Sequence, residues 1–209
     1  MNKAYKFRIY PNREQEILLS KTFGCCRFLY NAMLSDKIRE YKTTGKMLKN
    51  TPAMYKKEHS FLKEVDSLAL ANVQLHLEKA YKNFFRNPSV GFPKYKSKHK
   101  SRDSYTTNVV NGNIVLEAGK LKLPKLGRAR IRQHTEIPEG YRLKSVTVSR
   151  ESSGKYYASL LYEYNCGENQ ATDCTYGAAR ILGIDYAMHG MTVFSDELGA
   201  FYPGYLRQA

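Results

Sequence analysis

A single strand pattern stands at the start of this chain, separated from every other strand pattern by a long stretch of helical and loop sequence. In KAYKFRIY (residues 3–10), Phe7 and Ile9 alternate with Lys6 and Arg8, which predicts a half-buried strand with a basic outer face. A lone strand leaves its backbone hydrogen bonds unmet, so it needs partners from later in the chain. The intervening helices are therefore predicted to be an insertion into a β-structure.

The first helical pattern begins directly after this strand. Asn12 followed by Gln15 has the form of a capping box, which opens a helix by satisfying two backbone N–H groups. Gly24 is expected to bend or divide this helix. The sequences at 43–46 (TTGK) and 51–52 (Thr-Pro) predict the loop that follows it.

A second helix is predicted from Ser67, taken as its N-cap, to Phe85, because apolar residues recur there at helical spacing. Its opposite face holds Asn72, His76 and Lys79. Hydrogen-bonding side chains on an exposed helix face could contact base edges in nucleic acid. The alternative interpretation is a solvated helix surface.

The distribution of charge is the most informative feature of the middle of the chain. The sequence has 34 Lys and Arg against 19 Asp and Glu, a net charge of +15, and such a surplus favours a polyanionic partner. From Lys79 to Arg132 there are 14 Lys and Arg against only Asp103 and Glu117. This clustering predicts a nucleic-acid-binding surface, with a generally basic protein as the alternative.

The segment GFPKYKSKHKSR (91–102) concentrates this charge. Pro93 disfavours a helix, so the segment is predicted to be extended. If it were a strand, its alternating cations would all lie on one side. These cations are Lys94, Lys96, Lys98, Lys100 and Arg102.

Residues 104–165 are predicted to be all β. Strand patterns lie at 113–116, 120–123, 145–150 and 155–164. Ser152-Ser153-Gly154, between the last two patterns, is a hairpin signal. A polar linker at 166–177 then leads to a new strand around Asp185 and a second strand after it.

Several other classes of protein are disfavoured. The N-terminus has no apolar signal-peptide core, so a cytoplasmic protein is expected. No long apolar run or basic amphipathic helix stands out, so a membrane partner is not expected. The four cysteines, Cys25, Cys26, Cys166 and Cys174, form no C-x-x-C pair, and no zinc site is expected.

In combination, these segments resemble the TnpB family, the transposon-encoded RNA-guided DNA endonucleases ancestral to type V CRISPR effectors. The resemblance rests on KAYKFRIYPNREQEILLSKTFGCCRFLYNAML, AYKNFF, GFPKYKSKHKSRDSYT and LGID, which occur in the family's order over essentially the whole chain. The GFPKYKSK-type segment is the specific element, whereas LGID alone is a weak signal.

The resemblance implies an α+β fold. A wedge-type β-barrel would be interrupted by an α-helical, helix-turn-helix-like recognition lobe and followed by the first β-hairpin of an RNase H-like (RuvC) nuclease domain. The implied divisions are 1–11 and 104–165 for the barrel, 12–88 for the recognition lobe, 89–103 for the basic extended segment, 166–177 for the linker and 178–209 for the truncated start of the nuclease domain.

The resemblance also implies partners. In the family, guide RNA from the transposon end and duplex target DNA are bound in the prokaryotic cytoplasm, associated with the nucleoid, and guide–target pairing supplies most of the specificity. Tyr95 is expected to stack on a base, and the cations are expected to meet phosphates. The residues expected to bind RNA or DNA are Lys6, Arg8, Asn72, His76, Lys79, Lys94, Tyr95, Lys96, Lys98, Lys100 and Arg102.

Asp185 takes, by the same resemblance, the place of the first catalytic carboxylate. Two-metal cleavage needs several carboxylates around two Mg²⁺ ions about 4 Å apart, and the family's later carboxylates and zinc ribbon have no counterpart in these 209 residues. The chain alone is therefore expected to bind nucleic acid without cutting it. Three alternatives stay open: a portion of a fully active Mg²⁺-dependent endonuclease, a nuclease-inactive RNA- and DNA-binding repressor of the same family, and a stand-alone RNA-binding protein.

Overall fold

The computed structural model describes residues 1–99, 101–164, 182–187, 190–195 and 199–201. The chain divides into two compact units, Met1–Asn165 and Cys166–Ala209. The first unit opens with strand β1 (Asn2–Tyr10), helices α1 (Arg13–Thr44), α2 (Pro52–Glu58) and α3 (Ser67–Arg86), and 3₁₀ turns at Ser60–Lys63 and Pro88–Val90. Six strands follow: β2 (Asp103–Asn108), β3 (Val115–Glu117), β4 (Lys120–Leu123), β5 (Gly127–Arg132), β6 (Arg142–Arg150) and β7 (Tyr156–Glu163).

Strand β1 lies inside the sheet that the later strands form. The seven strands make a curled antiparallel half-barrel in the order β2-β6-β7-β1-β5-β4-β3. β1 pairs with β7 from Asn2 opposite Glu163 to Ile9 opposite Tyr156, and with β5 where Arg8 lies opposite Arg132. The prediction that the first strand pairs with strands from after the helices is confirmed, and the fold of this unit is mixed helix and strand.

One face of the sheet carries its hydrophobic core. On β1, Tyr5, Phe7 and Ile9 are buried while Lys6 is exposed, as the alternation predicts. The helices contribute buried side chains to the same core cluster, and the Phe23 ring of α1 lies 5.9 Å from the Tyr105 ring of β2. The other buried residues of the cluster include Leu19, Leu29, Met33, Leu70, Leu77, Leu121, Ala129, Ile131, Val146, Val148, Ala158 and Leu160.

The start of α1 is a capping box, as predicted. The Asn12 side chain accepts from the Gln15 N–H at 2.8 Å, and the Gln15 side chain accepts from the Asn12 N–H at 3.0 Å. Gln15 Nε2 also donates to the carbonyls of Leu126 and Arg128, which attaches the helix to β5. Gly24 does not divide α1, which runs unbroken from Arg13 to Thr44 with buried residues on both sides of this glycine.

Two other helix boundaries differ from the prediction. The N-cap of α3 is Asp66 rather than Ser67, since Asp66 Oδ1 accepts from the Leu68 N–H at 3.0 Å. The predicted loop at 51–52 is instead the beginning of α2, with Pro52 at the first helical position. Proline is favoured there because the N–H it lacks would have no partner within the helix.

The basic segment at 91–102 is not a strand in its described residues. Lys98 and His99 form a turn, and the Ser101 N–H donates to the Ser97 carbonyl at 3.1 Å. The one-sided row of cations expected of a strand is therefore absent from the described part of this segment. Strands β4, β6 and β7 agree with the predicted patterns, β3 lies partly outside its predicted range, and β5 was not predicted.

The second unit contains three described strands, β8 (Leu182–Ala187), β9 (Gly190–Ser195) and β10 (Gly199–Phe201), paired antiparallel in the order β10-β9-β8. A strand around Asp185 followed by a second strand is thus confirmed. The predicted linker at 166–177 lies outside the described residues. In the described part of the chain, no helix combines the length and the apolar character needed to cross a membrane.

Candidate nucleic-acid interface

The basic segment (91–102) is attached to helix α1 by Asn31. Asn31 Nδ2 donates to the Lys96 carbonyl at 2.8 Å, and Asn31 Oδ1 accepts from the Lys96 N–H at 2.8 Å. These two bonds satisfy both polar backbone groups of Lys96, as pairing with a strand would. Pro93 is buried close by in sequence. The segment is therefore held in place without belonging to the sheet.

The Lys96 side chain helps to anchor the same segment. Its Nζ lies 4.3 Å from the centroid of the Tyr30 ring on α1, which is a cation–π contact. Although Lys96 as a whole residue is exposed, its ammonium group is desolvated, and this lowers its pKa against an opposing effect of Cys26. Lys96 thus fastens the segment to the helix through its side chain as well as its backbone.

A groove of about 700 Å³ opens beside the basic segment. The end of this segment and the start of β2 form one wall, and the β6–β7 turn forms the other. Gly154 in that turn has a φ of 76°, a conformation that residues with a side chain rarely adopt. The predicted cations Lys98 and Arg102 share the groove with Arg150, which the sequence reasoning did not single out. The lining residues are Lys98, His99, Ser101, Arg102, Asp103, Arg150, Glu151, Ser152 and Gly154.

Asp103 connects this groove to α1 through two arginines. Asp103 Oδ1 accepts from Arg27 Nη1 at 3.3 Å, and Asp103 Oδ2 accepts from Arg150 Nη2 at 2.5 Å. The Asp103 side chain is only 15% exposed, so solvent screens these ion pairs weakly. The hydrogen bond to Asp103 raises the pKa of Arg150. Two guanidinium groups around one carboxylate leave the cluster with a net positive charge.

Lys6 and Arg8 lie on the outer face of β1. Lys6 Nζ is 2.8 Å from Glu151 Oε1 and 4.5 Å from the centroid of the Tyr157 ring. The hydrogen bond from Lys6 lowers the pKa of Glu151. Lys6 therefore reaches the rim of the groove. The Arg8 guanidinium lies over the Tyr10 ring, 4.8 Å from its centroid.

Helix α3 brings Asn72 and His76 to a small cavity that Lys96 and Arg102 also line. Asn72 is buried, and its Nδ2 donates to the Leu68 carbonyl at 2.9 Å. Because Asn72 is buried, its amide does not lie on the exposed helix face that the sequence predicted. His76 is exposed, and partial desolvation of its ring lowers its pKa, with a further decrease from nearby lysines.

Four further residues predicted to bind nucleic acid are exposed in the described part of the chain. Tyr95 is 57% exposed, which leaves its ring accessible for stacking. Lys79, Lys94 and Lys98 are exposed and form no ion pair with another residue that the structure describes. Lys100 lies outside the described residues.

Asp185 lies in the second unit, opposite Thr192 in the pairing of β8 with β9. Among the residues described in either unit, no group of three or more His, Cys, Asp or Glu could hold a metal ion. The role of Asp185 as a magnesium ligand stays a prediction.

Two kinds of residue in this interface were not predicted from the sequence. The positions of Asn31, Arg27 and Arg150 depend on contacts between distant parts of the chain, and Asn31 and Lys96 are 65 residues apart. Strand β5, in contrast, carried a readable signal. In GRARIR, the exposed Arg128, Arg130 and Arg132 alternate with the buried Ala129 and Ile131, which is the period-two pattern of a half-buried strand.

Residues 1–46 match the OrfB/IS605 helix-turn-helix domain family. Over 187 residues, the chain is 36% identical to a putative RNA-guided DNA endonuclease from Streptomyces pristinaespiralis, covering 85% of this chain and 45% of that protein. Over 208 residues, it is 30% identical to the putative RNA-guided DNA endonuclease InsQ from Escherichia coli strain K12, covering 93% of this chain and 47% of that protein. The chain thus spans about half the length of these curated relatives.

Among solved structures, the chain is similar to one chain of the cryo-EM structure of the Cas12f1–sgRNA–target DNA complex. The sequence identity is 12% and the TM-score is 0.40, with 97% of this chain and 56% of that chain covered.

Proposed function

Because this chain belongs to the TnpB family, we propose that it is the RNA-guided DNA-binding portion of a TnpB-like endonuclease. Its partners would be guide RNA from the transposon end and the duplex DNA that adjoins the target. Its location would be the prokaryotic cytoplasm, in association with the nucleoid. The two relatives named above are putative RNA-guided DNA endonucleases. Each is about twice as long as this chain.

The observation that carries this proposal is the basic groove between the anchored segment and the β6–β7 turn. Lys94 and Lys98 are exposed on a segment that the Asn31 clamp holds in place. Because their attachment is already ordered, less conformational entropy is lost when they meet phosphates. Arg102 adds a guanidinium group, which can bind a phosphate through two parallel hydrogen bonds.

The exposed Tyr95 ring, between Lys94 and Lys96 in sequence, supports a contribution from stacking. Aromatic rings beside cations bind unpaired bases without strong sequence preference. His76 has a lowered pKa and would act mainly as a neutral hydrogen-bonding group toward a base or sugar. Lys79 on the same helix would meet a phosphate.

The proposed domain assignment follows the family. Residues 1–11 and 104–165 would be the wedge barrel, which the pairing of β1 with β5 and β7 supports. Residues 12–88 would be the recognition lobe, and residues from 178 would begin the RuvC-like domain. Asp185 would be the first carboxylate of a Mg²⁺ site in that domain. One carboxylate does not position two Mg²⁺ ions, so cleavage would require further carboxylates beside Asp185.

The binding proposal is tested by salt dependence. The 209-residue chain is purified, the RNA that co-purifies with it is sequenced, and the affinities for that RNA and for duplex DNA are measured from low to high KCl. A transposon-end guide RNA is expected, with affinity falling steeply as salt rises. Each phosphate contacted contributes about −0.9 to the slope of log K against log salt for duplex DNA and about −0.7 for single strands.

A triple variant, Lys94→Gln, Lys98→Gln and Arg102→Gln, tests the basic segment, of which Lys98 and Arg102 also line the groove. Its salt slope is expected to be shallower by about 2 to 3. The matched control neutralises three exposed lysines of the helical region, Lys42, Lys46 and Lys57, and should change the slope by less than about 1. A flat salt dependence for the unaltered chain, or ribosomal RNA as the only bound species, contradicts the proposal.

The nuclease expectation has its own test. With Mg²⁺ present, the 209-residue chain is expected to leave a bound DNA target uncut, and Asp185→Ala is expected to leave binding unchanged. Mg²⁺-dependent nicking by the chain that disappears in Asp185→Ala would show instead that the metal site is complete.

A further inference from the structure

The outer face of the sheet carries a second set of cations across three neighbouring strands, here called the cationic ladder. Its members alternate with buried residues along β1, β5 and β4, so they all lie on the face opposite the core. The ladder consists of Arg8, Arg128, Arg130, Arg132, Lys120 and Lys122.

Strand pairing places these cations directly opposite one another. Arg8 faces Arg132, Lys120 faces Arg130, and Lys122 faces Arg128. Side chains at directly opposite positions of an antiparallel pair are close enough to interact, and like charges there destabilise the pair. Three consecutive like-charge pairs on one face are therefore unfavourable for a sheet with no ligand.

Acidic residues do not offset this repulsion within the part of the chain that the structure describes. None of the six ladder cations forms an ion pair with a described residue. Glu117 lies opposite Lys120 at the end of the ladder, without forming a salt bridge. The Arg8 guanidinium stacks over the Tyr10 ring, which orients a cation but does not neutralise it.

The register of the sheet prevents the ladder from turning inward. Ala129 and Ile131, the residues between the three arginines of β5, are 1% and 5% exposed. A one-residue slip would bury the arginines and expose these apolar side chains. The cations are thus held on a rigid surface at alternate positions of a strand, about 6.8 Å apart, which is close to the spacing of successive phosphates along a nucleic-acid strand.

We propose that the cationic ladder binds the phosphate backbone of a polynucleotide and extends the interface from the groove across the outer face of the sheet to β4. This inference rests on the proposed function, since it assigns a further contact surface to the same class of ligand. Arginine is suited to this contact because its planar guanidinium meets a phosphate with two parallel hydrogen bonds. Two grooves follow the ladder. One is lined by Lys120, Lys122 and Arg128 with Val115, Glu117 and Ala118, and the other by Tyr10, Arg130, Ile131 and Arg132.

The test compares three variants of the full 209-residue chain against a labelled RNA hairpin and a labelled DNA duplex across a KCl series. The ladder variant is Arg128→Gln, Arg130→Gln and Arg132→Gln. The second variant, Lys120→Gln and Lys122→Gln, examines the same surface from the neighbouring strand. The control, Lys42→Gln, Lys46→Gln and Lys57→Gln, removes three charges from the helical region. Circular dichroism verifies that each variant is folded.

The ladder variant is expected to have a salt slope shallower by about 2 to 3 on at least one ligand, and the β4 variant a slope shallower by about 1 to 2. A change on the RNA hairpin alone assigns the ladder to RNA, a change on the duplex alone assigns it to DNA, and a change on both assigns it to the shared backbone. Slopes equal to that of the control on both ligands, while the unaltered chain binds, would overturn the ladder and leave the proposed function standing. Absence of binding by the unaltered chain would overturn the proposed function itself.

Discussion

The side-chain amide of Asn31 holds the backbone of Lys96 through two hydrogen bonds of 2.8 Å, one donated and one accepted. A helix thereby supplies to an irregular segment the two bonds that a neighbouring strand would supply. The segment that carries the exposed Lys94 and Lys98 is also attached upstream, where the Phe92 ring lies 5.5 Å from the Tyr81 ring of α3. The clamp accounts for how a lysine-rich stretch outside the sheet can present its charges in one defined place.

Removal of the clamp should loosen the segment. In Asn31→Ala, both Lys96 backbone groups lose their partner, so the Lys96 amide is expected to exchange with solvent at least about tenfold faster, which corresponds to about 1.4 kcal/mol of local stability. Affinity for nucleic acid should fall severalfold. Hydrogen exchange and a binding titration measure the two effects. Ser35→Ala, at an exposed position one turn further along α1, is the control. Protection of the Lys96 amide in Asn31→Ala equal to that in the unaltered chain would contradict the clamp.

The ion pair between Lys6 and Glu151 should compete with a bound phosphate. In Glu151→Gln, Lys6 is released at the rim of the groove and one negative charge is removed, so affinity for duplex DNA or RNA is expected to rise by about fivefold at low salt. Glu163→Gln is the matched control, because Glu163 forms an equally exposed pair with Lys144. Equal affinities for the two variants would show that nucleic acid binds away from this groove.

The same pair sets a direction for pH dependence. The pKa of Glu151 is lowered below 4.5 in the folded chain by its hydrogen bond from Lys6. The stabilisation from this pair is therefore fully present above pH 4.5 and is lost as the pH falls through the lowered pKa. Thermal denaturation between pH 3 and 6 should show a smaller loss of stability in Glu151→Gln than in the unaltered chain.

His76 should make stability depend on pH in a higher range, nearer to neutral pH. Partial desolvation lowers its pKa below 6.5 in the folded chain, so the unfolded chain binds more protons between the two values. Stability should therefore decrease as the pH falls from about 7 toward 5. The variant His76→Gln should show a weaker decrease over this interval. An identical pH profile for the variant would mean that the His76 ring is fully solvated.

The buried contact between Thr107 and Asp66 should be a main link between sheet and helices. Thr107 Oγ1 donates to Asp66 Oδ2 at 2.5 Å, while Asp66 Oδ1 caps α3. Thr107→Val is expected to cost about 2 kcal/mol in the free energy of unfolding, because it leaves a buried carboxylate oxygen without its donor. Chemical denaturation measures this cost. The control Thr106→Val, on the partly exposed side of the same strand, should cost less than about 1 kcal/mol.

The agreement between sequence and structure is closest where a local pattern determines the conformation. The capping box at Asn12 and the alternation of β1 were predicted from the sequence and are present in the structure. Gly24 shows the limit of such reasoning, since a residue of low helix propensity remains helical when its neighbours are buried on both sides. The missed strand β5 lies within the region predicted to be all β, and its sequence has the period-two alternation of arginines with apolar residues that is typical of a half-buried strand.

Sequence alone determined that this chain begins with a strand that must pair with later strands, that helices are inserted after it, and that positive charge is concentrated in its middle. These features are local or additive, so they can be read residue by residue. Tertiary structure decided which cations are presented and which are used as anchors. Lys96 contacts the Tyr30 ring through its side chain and Asn31 through its backbone, and Asn72 donates to a carbonyl of its own helix. The three arginines of β5, in contrast, are exposed on the outer face of the sheet. The physical reason is that these outcomes depend on packing and hydrogen bonds between residues far apart in the chain, which no local pattern records.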